Sequence, residues 1–294
     1  MWYFPRLVKL LELFQKIYQV LGEKFLIEIY THITPELRNK LNRQLKSCTN
    51  HEIEDIREFA IQFYDVLIKV FAIEPLNYVS YKGKKYVVDN NSKLSITGKR
   101  IKKISEIDGL AKLSNLRTLE LCGNRFTEID GLDSLINLEH LNLANNRIVG
   151  TKGLGNLKKL KYLNFYRNEI RMVEEMKSLY SLETLNLSNN QISTLKGLND
   201  IKNLKWVDFS NNNITEIDEN LTLQSLVNLR LEDNRFYTVP KSILNLPSLK
   251  SLSIPECSLS EESKVNLNIL KHRGVNIAVK KDSSTKYVSD YFTF

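Results

Sequence analysis

Apolar residues change spacing along the chain, and the change divides it. In the first quarter they fall at helical intervals: Leu7, Leu10, Leu11, Phe14, Ile17, Tyr18 and Leu21. Thr34-Pro35-Glu36 supplies an N-cap followed by proline in the first turn, and it opens a second helix with Leu37, Leu41 and Leu45 on one face. Thr49 and Glu52 form a capping box before Ile53, Ile56, Ala60, Phe63, Leu67 and Phe71, and Pro75 closes that third helix. Residues 78–88 then alternate around a glycine and predict a β-hairpin.

From there the period becomes two, in short bursts. Each burst is a pair of apolar residues split by a polar one, followed three positions later by asparagine. The asparagines are Asn124, Asn146, Asn168, Asn190, Asn212 and Asn234, each 22 residues after the last. They close Leu119-Glu-Leu121, Leu141-Asn-Leu143, Leu163-Asn-Phe165, Leu185-Asn-Leu187, Val207-Asp-Phe209 and Leu229-Arg-Leu231. Each burst predicts a short strand with its apolar pair facing inward. No single repeat can bury that pair alone, so neighbours must stack around a continuous core. A buried asparagine carries two N–H donors and an acceptor, enough to satisfy turn backbone that would otherwise cost about 1–3 kcal/mol per group. The six asparagines therefore form a structural ladder, not a ligand site.

These phrases resemble the leucine-rich-repeat pattern LxxLxLxxNxI over residues 94–279. The short convex segment, as in Ile129-Asp-Gly131-Leu132, is similar to the 22-residue repeats of a type-1 protein phosphatase regulatory subunit and of a spliceosomal ribonucleoprotein A-prime subunit. Internalins share the repeat length but are secreted. The resemblance implies an α/β leucine-rich-repeat solenoid: parallel strands on a concave face and 3-10 or irregular convex segments. An α-helical N-terminal region and a helical C-terminal cap complete the expected fold.

Both ends of the array depart from the pattern. Lys99 takes the asparagine position in the first copy, which is 25 residues long, and Cys257 takes it in the last. Ser258 and Glu261 form a capping box for a helix reaching His272, with Gly274 as its stop and Val275, Ile277 and Val279 as a final strand. The expected organisation is residues 1–76 as a helical domain or cap, 77–92 as a hairpin junction and 93–256 as repeats. Residues 257–279 form a cap, and 280–294 an aromatic tail with Tyr287, Tyr291, Phe292 and Phe294. The N-terminal helices are either a cap on the first repeat or a separate partner-binding module. The tail either folds back on the cap or acts as a linear motif.

Charge adds a location. The 294 residues hold 42 Lys and Arg against 34 Asp and Glu, a formal net charge of +8. Between Tyr78 and Ser105 lie Lys82, Lys84, Lys85, Lys93, Lys99, Arg100, Lys102 and Lys103 against the single acid Asp89, so this junction alone carries +7. Any RNA or anionic-surface contact is expected there. The three cysteines are dispersed and odd in number, which argues against a disulfide framework and for a reducing, cytoplasmic setting. Charged residues Arg6, Lys9, Glu12 and Lys16 interrupt the first twenty positions, so no signal peptide is expected, and no apolar run spans a bilayer.

The outward positions of the strands define the candidate site. The column before the first apolar residue reads Thr118, His140, Tyr162, Thr184, Trp206 and Asn228; the middle column reads Glu120, Asn142, Asn164, Asn186, Asp208 and Arg230. Tyr166, Arg167 and Glu232 follow the second apolar residue. A tryptophan with tyrosines, histidine and arginine nearby has the composition of a protein-binding hot spot. His140, Tyr162, Tyr166, Arg167, Trp206, Asp208, Arg230 and Glu232 are therefore the expected contacts for a protein partner, with RNA as the rival through the basic junction. Catalysis is not expected. Cys122 and His140 are four residues out of register, about 13 Å along the strands, and a nucleophile and base need about 3 Å. No catalytic motif, metal-ligand spacing or cofactor fingerprint occurs, and a monomer is the expectation.

Overall fold

The computed structural model describes residues 77–280 apart from 90, 175, 200 and 256–258, together with residues 43, 58, 60 and 61. Of the three helices expected before residue 77 only Arg43, Glu58, Ala60 and Ile61 are described, all helical. The rest of those helices, the aromatic residues of the tail, and Cys257 and Ser258 lie outside the described residues. The chain divides into two compact units, Met1–Ser95 with Ile107–Leu116, and Ile96–Glu106 with Arg117–Phe294.

In the first unit the alternating stretch forms a hairpin, β1 (Tyr78–Tyr81) against β2 (Lys84–Val87), antiparallel with Tyr81 opposite Lys84. Its turn needs two residues of positive φ, and Lys82 (49°) and Gly83 (78°) supply them. Val79, Tyr81, Tyr86 and Val87 are buried. Ser80 and Asp108 exchange both backbone hydrogen bonds, at 2.9 and 2.8 Å, which brings the segment 107–116 into this unit. β3 (Lys93–Ser95) follows the hairpin.

The second unit is built from the repeats. β4 (Thr118–Glu120), β5 (His140–Asn142), β6 (Tyr162–Asn164), β7 (Thr184–Asn186), β8 (Trp206–Asp208) and β9 (Asn228–Arg230) pair in chain order, all parallel and in register. β10 (Ser251–Pro255) and β11 (Asn276–Lys280) extend the sheet, also parallel. The central residues Leu119, Leu141, Leu163, Leu185, Val207 and Leu229 are at most 1% exposed, and the second apolar positions, Leu121 to Leu231, are fully buried. Each such side chain contributes about 1.5–3 kcal/mol of burial. Phe126, Phe165, Phe209 and Phe236 are the bulkiest buried groups. Convex segments are short: the described 3-10 turns of this unit are Ile104–Glu106 and Lys241–Asn245.

The asparagine ladder stitches the turns together. Asn168 donates from Nδ2 to the carbonyls of Phe165 and Leu143, both at 3.0 Å, and its Oδ1 accepts from Ile148 N–H at 3.0 Å. Asn146, Asn190, Asn212 and Asn234 repeat this arrangement. Asn124 bonds Ile96 and Leu121 through Nδ2 and accepts from Lys99 and Ile101, so it accommodates the longer first repeat.

After β10 comes α1 (Glu261–His272), the one α-helix described in full, with Gly274 (φ 84°) beyond its end. Its N-cap is Ser260, whose Oγ accepts from Ser263 N–H at 3.2 Å, two residues beyond the Ser258 expected from the sequence.

Candidate functional site

The parallel pairing places one side chain of each strand beside its equivalents about 4.8 Å away. The first outward column runs Thr118, His140, Tyr162, Thr184, Trp206, Asn228 without a break. His140 and Tyr162 are direct neighbours, their ring centroids 6.1 Å apart and their planes tilted by 34°. Tyr162 is only 8% exposed, and this burial pushes its phenol up from its ordinary value. His140 and Trp206 are half-buried.

The middle column was expected to face outward, and the structure gives it a local structural task as well. Asn142, Asn164, Asn186 and Asp208 each fold their Oδ1 onto the backbone N–H two residues on, at 3.0, 2.9, 2.9 and 2.8 Å. This is the short-range bond that Asn and Asp make most readily. Asn164, Asn186 and Asp208 are buried, at 6%, 4% and 4% exposure. Arg230 lies opposite Asp208 and reaches two acids, with Nη1 3.4 Å from the Asp208 carboxylate and Nη2 3.3 Å from that of the fully buried Glu232. Burial raises the Asp208 carboxyl above its ordinary range even though Arg230 and Ser210 oppose the shift.

The structure thus gathers the eight expected contacts into one sheet face but grades them by access. Arg167 is exposed, while His140, Tyr166, Trp206 and Arg230 are half-buried. Tyr162, Asp208 and Glu232 lie beneath the surface. His140, Tyr162, Trp206, Arg230 and Glu232 all have partners within the chain. Cys122 is level with Ala144, not with His140, which pairs with Thr118. Cys122 is a free thiol, with Asn145 Nδ2 3.6 Å from its sulfur. Among the described residues no cluster of His, Cys, Asp or Glu is placed to hold a metal ion.

The basic junction falls in both units. On the hairpin Lys85 Nζ lies 4.4 Å above the Tyr78 ring and Lys82 Nζ 5.4 Å above Tyr81, and Lys84 is also partnered. Lys99, Arg100, Lys102 and Lys103 belong to the second unit and are exposed. Sequence reasoning missed Arg125 and Arg147, which the repeat brings level with Arg100. The signal was available as a column: each is the residue directly after a ladder asparagine.

Two descriptions of the family match the chain, leucine rich repeats in two copies over residues 136–178 and single leucine rich repeats over 181–202 and 203–222. With the register and the ladder, these matches are consistent with a leucine-rich-repeat protein. This chain carries leucine-rich repeats. Among solved structures it is similar to a leucine-rich-repeat protein of Leptospira interrogans, with 35% identity and a TM-score of 0.53 over 57% of this chain and 44% of that one. It shares the fold of internalin C2 from Listeria monocytogenes, at 24% identity and a TM-score of 0.54, covering 66% of this chain and 84% of that one. A second Listeria monocytogenes internalin gives 23% identity and a TM-score of 0.53, covering 67% and 59%. The chain spans less than half of the Leptospira protein. No curated protein matches it significantly. Among the described residues, no helix of this leucine-rich-repeat protein is long and apolar enough to cross a membrane.

Proposed function

We propose that this protein is a non-catalytic scaffold or regulatory subunit, working in the cytoplasm, that binds a protein partner on the outward face of β5–β9. The carrying observation is the row His140–Tyr162–Thr184–Trp206 in unbroken register on a hydrogen-bonded sheet. A sheet fixed in advance loses little conformational entropy on docking. Half-buried Trp206 and His140, with Tyr166, Arg167 and Arg230, supply the residue types that anchor interfaces. Tyr162, Asp208 and Glu232 act from below, holding the neighbouring side chains in place. β11 and α1 close the end of the sheet as a cap.

The test is affinity capture with the wild type and with Trp206→Ala and Arg230→Ala, followed by titration of the purified binder. Loss of at least tenfold in affinity in either variant, with an unchanged melting temperature, supports the reading. Equal affinity in all three places the partner elsewhere.

A further inference from the structure

The two rims of the repeat array treat charge in opposite ways. At the N-terminal ends of the strands, charges alternate in sign and pair across repeats. Glu139 accepts from Arg117 at 3.0 Å and Lys161 at 2.6 Å, and Lys205 reaches Glu183 at 2.9 Å. At the C-terminal ends the pattern reverses. Arg125 N–H donates to the Ile101 carbonyl and Arg147 N–H to that of Phe126, both at 2.9 Å or less, which sets Arg100, Arg125 and Arg147 at one position of three consecutive turns. Parallel register spaces them about 4.8 Å apart.

All three are exposed, and among the described residues none takes part in an ion pair. Lys102 stands two residues beyond Arg100, also exposed. In the next turn the row's own position is held by Glu169, whose N–H donates to the Ile148 carbonyl, and exposed Arg167 stands two residues before it. Among the described residues neither Glu169 nor Glu128 is ion-paired to the row. Like charges stacked on adjacent strands repel each other. On the opposite rim of the array the signs alternate, so the row is not imposed by the architecture.

We propose that Arg100, Arg125 and Arg147, flanked by Lys102 and Arg167, form a binding site for the phosphate backbone of a single-stranded nucleic acid. Guanidinium groups bind phosphates through paired N–H donors. A single file of them suits a chain of phosphates, whereas a membrane offers a plane of headgroups. Half-buried Tyr166, next to Arg167 in sequence, is an aromatic side chain of the type on which bases stack in such sites. The site lies within the second unit; its core, Arg100, Arg125 and Arg147, takes no part in the protein-binding reading, and only the flanking Tyr166 and Arg167 are shared with it.

The experiment is fluorescence-anisotropy titration of the full chain with a labelled single-stranded RNA of mixed sequence, against salt. Neutralising about three to five phosphates predicts a log–log salt slope of about −2 to −3.5. The triple variant R100E/R125E/R147E is expected to bind at least thirtyfold more weakly. A control, K177E/K202E/K250E, makes the same change in net charge at exposed lysines elsewhere and is expected to lose less than threefold. The milder R100Q/R125Q/R147Q keeps the test sound should charge reversal disturb folding; it is expected to melt no lower than wild type and still to bind at least tenfold more weakly. Equal losses in the row and control variants, a slope near zero, or preference for phosphatidylserine vesicles over RNA would each overturn the proposal.

Discussion

Arg230 and Asp208 face each other across β9 and β8, 3.4 Å apart, with the carboxylate 5% and the guanidinium 27% exposed. The arginine is shared with Glu232, so two acids compete for one cation in a site with little water. Burial is what raises the Asp208 carboxyl despite its cationic neighbour, and the Glu232 charge adds a smaller push in the same direction.

The sign of the resulting pH dependence is fixed. A carboxyl raised in the folded state binds its proton more readily there than in the unfolded chain. Its favourable contribution is complete below the ordinary Asp value of 3.8 and is lost as pH rises through the raised folded value. Asp208→Asn keeps the Oδ1 acceptor for Ser210, as Asn186 does one repeat earlier for Ser188. Melting the two proteins at pH 4.5 and 7 is expected to show the variant gaining on wild type as pH rises, with a difference near zero to about 1 kcal/mol in its favour at pH 7. A difference independent of pH would count against the buried-charge account.

Glu139 titrates in the opposite sense. The hydrogen bond from Lys161 lowers its carboxyl, outweighing desolvation, with further help from Arg117. Its stabilisation is present above 4.5 and lost as pH falls through the lowered folded value. Both cations are more than half exposed, so Glu139→Gln should cost under about 1 kcal/mol, less still in 1 M salt. Urea midpoints at two salt concentrations measure it.

Ladder asparagines are expected to be far less tolerant. Asn190 donates to the carbonyls of Phe165 and Leu187, both at 3.0 Å, and accepts from Ile170. Asn190→Ala leaves buried backbone groups without partners and should cost about 2–4 kcal/mol. Asn190→Asp does not rescue it, because a carboxylate has no N–H to donate. A urea midpoint for Asn190→Ala equal to wild type would show that water replaces the carboxamide.

Two glycines separate space from backbone strain. A Cβ on Gly153, at φ 97°, would collide with the Ile129 carbonyl oxygen, whereas at Gly274, φ 84°, nothing lies within 4 Å. Gly274→Ala is expected to cost about 1–2 kcal/mol, the strain of the left-handed region alone. Gly153→Ala adds displacement of a neighbouring turn and should exceed 3 kcal/mol. Paired thermal melts compare them, and equal costs would mean the turn at Ile129 yields freely.

The strands and ladder were legible because both are set by residue type at fixed spacing. A polar residue between two leucines can satisfy only one face, and β4–β9 fall where that alternation lies. Burial on the outward face was not legible. Asp208 and Asn164 read as exposed by parity, but their short side chains turn down onto their own backbone, and side chains on adjacent strands cover them. The arginine row escaped a count along the chain because its members are 25 and 22 residues apart. Stacking, not sequence proximity, makes them neighbours.

Arg167 tests whether the candidate site carries strain. It sits at φ 53°, in a column otherwise filled by Gly123, Asn145, Asn189, Asn211 and Asp233, all with positive φ. Glycine takes this conformation without penalty, and Asn and Asp take it more easily than other side chains. An arginine pays about 1–2 kcal/mol there. It gains no ion pair in return among the described residues, and its side chain is exposed. Arg167→Asn should therefore raise stability by about 0.5–1 kcal/mol, read from the urea midpoint at constant m-value. A stabilised variant that also binds its ligand more weakly would show that Arg167 serves recognition at the expense of the fold. If stability is unchanged, the backbone at this position is relaxed and the arginine is an ordinary surface residue.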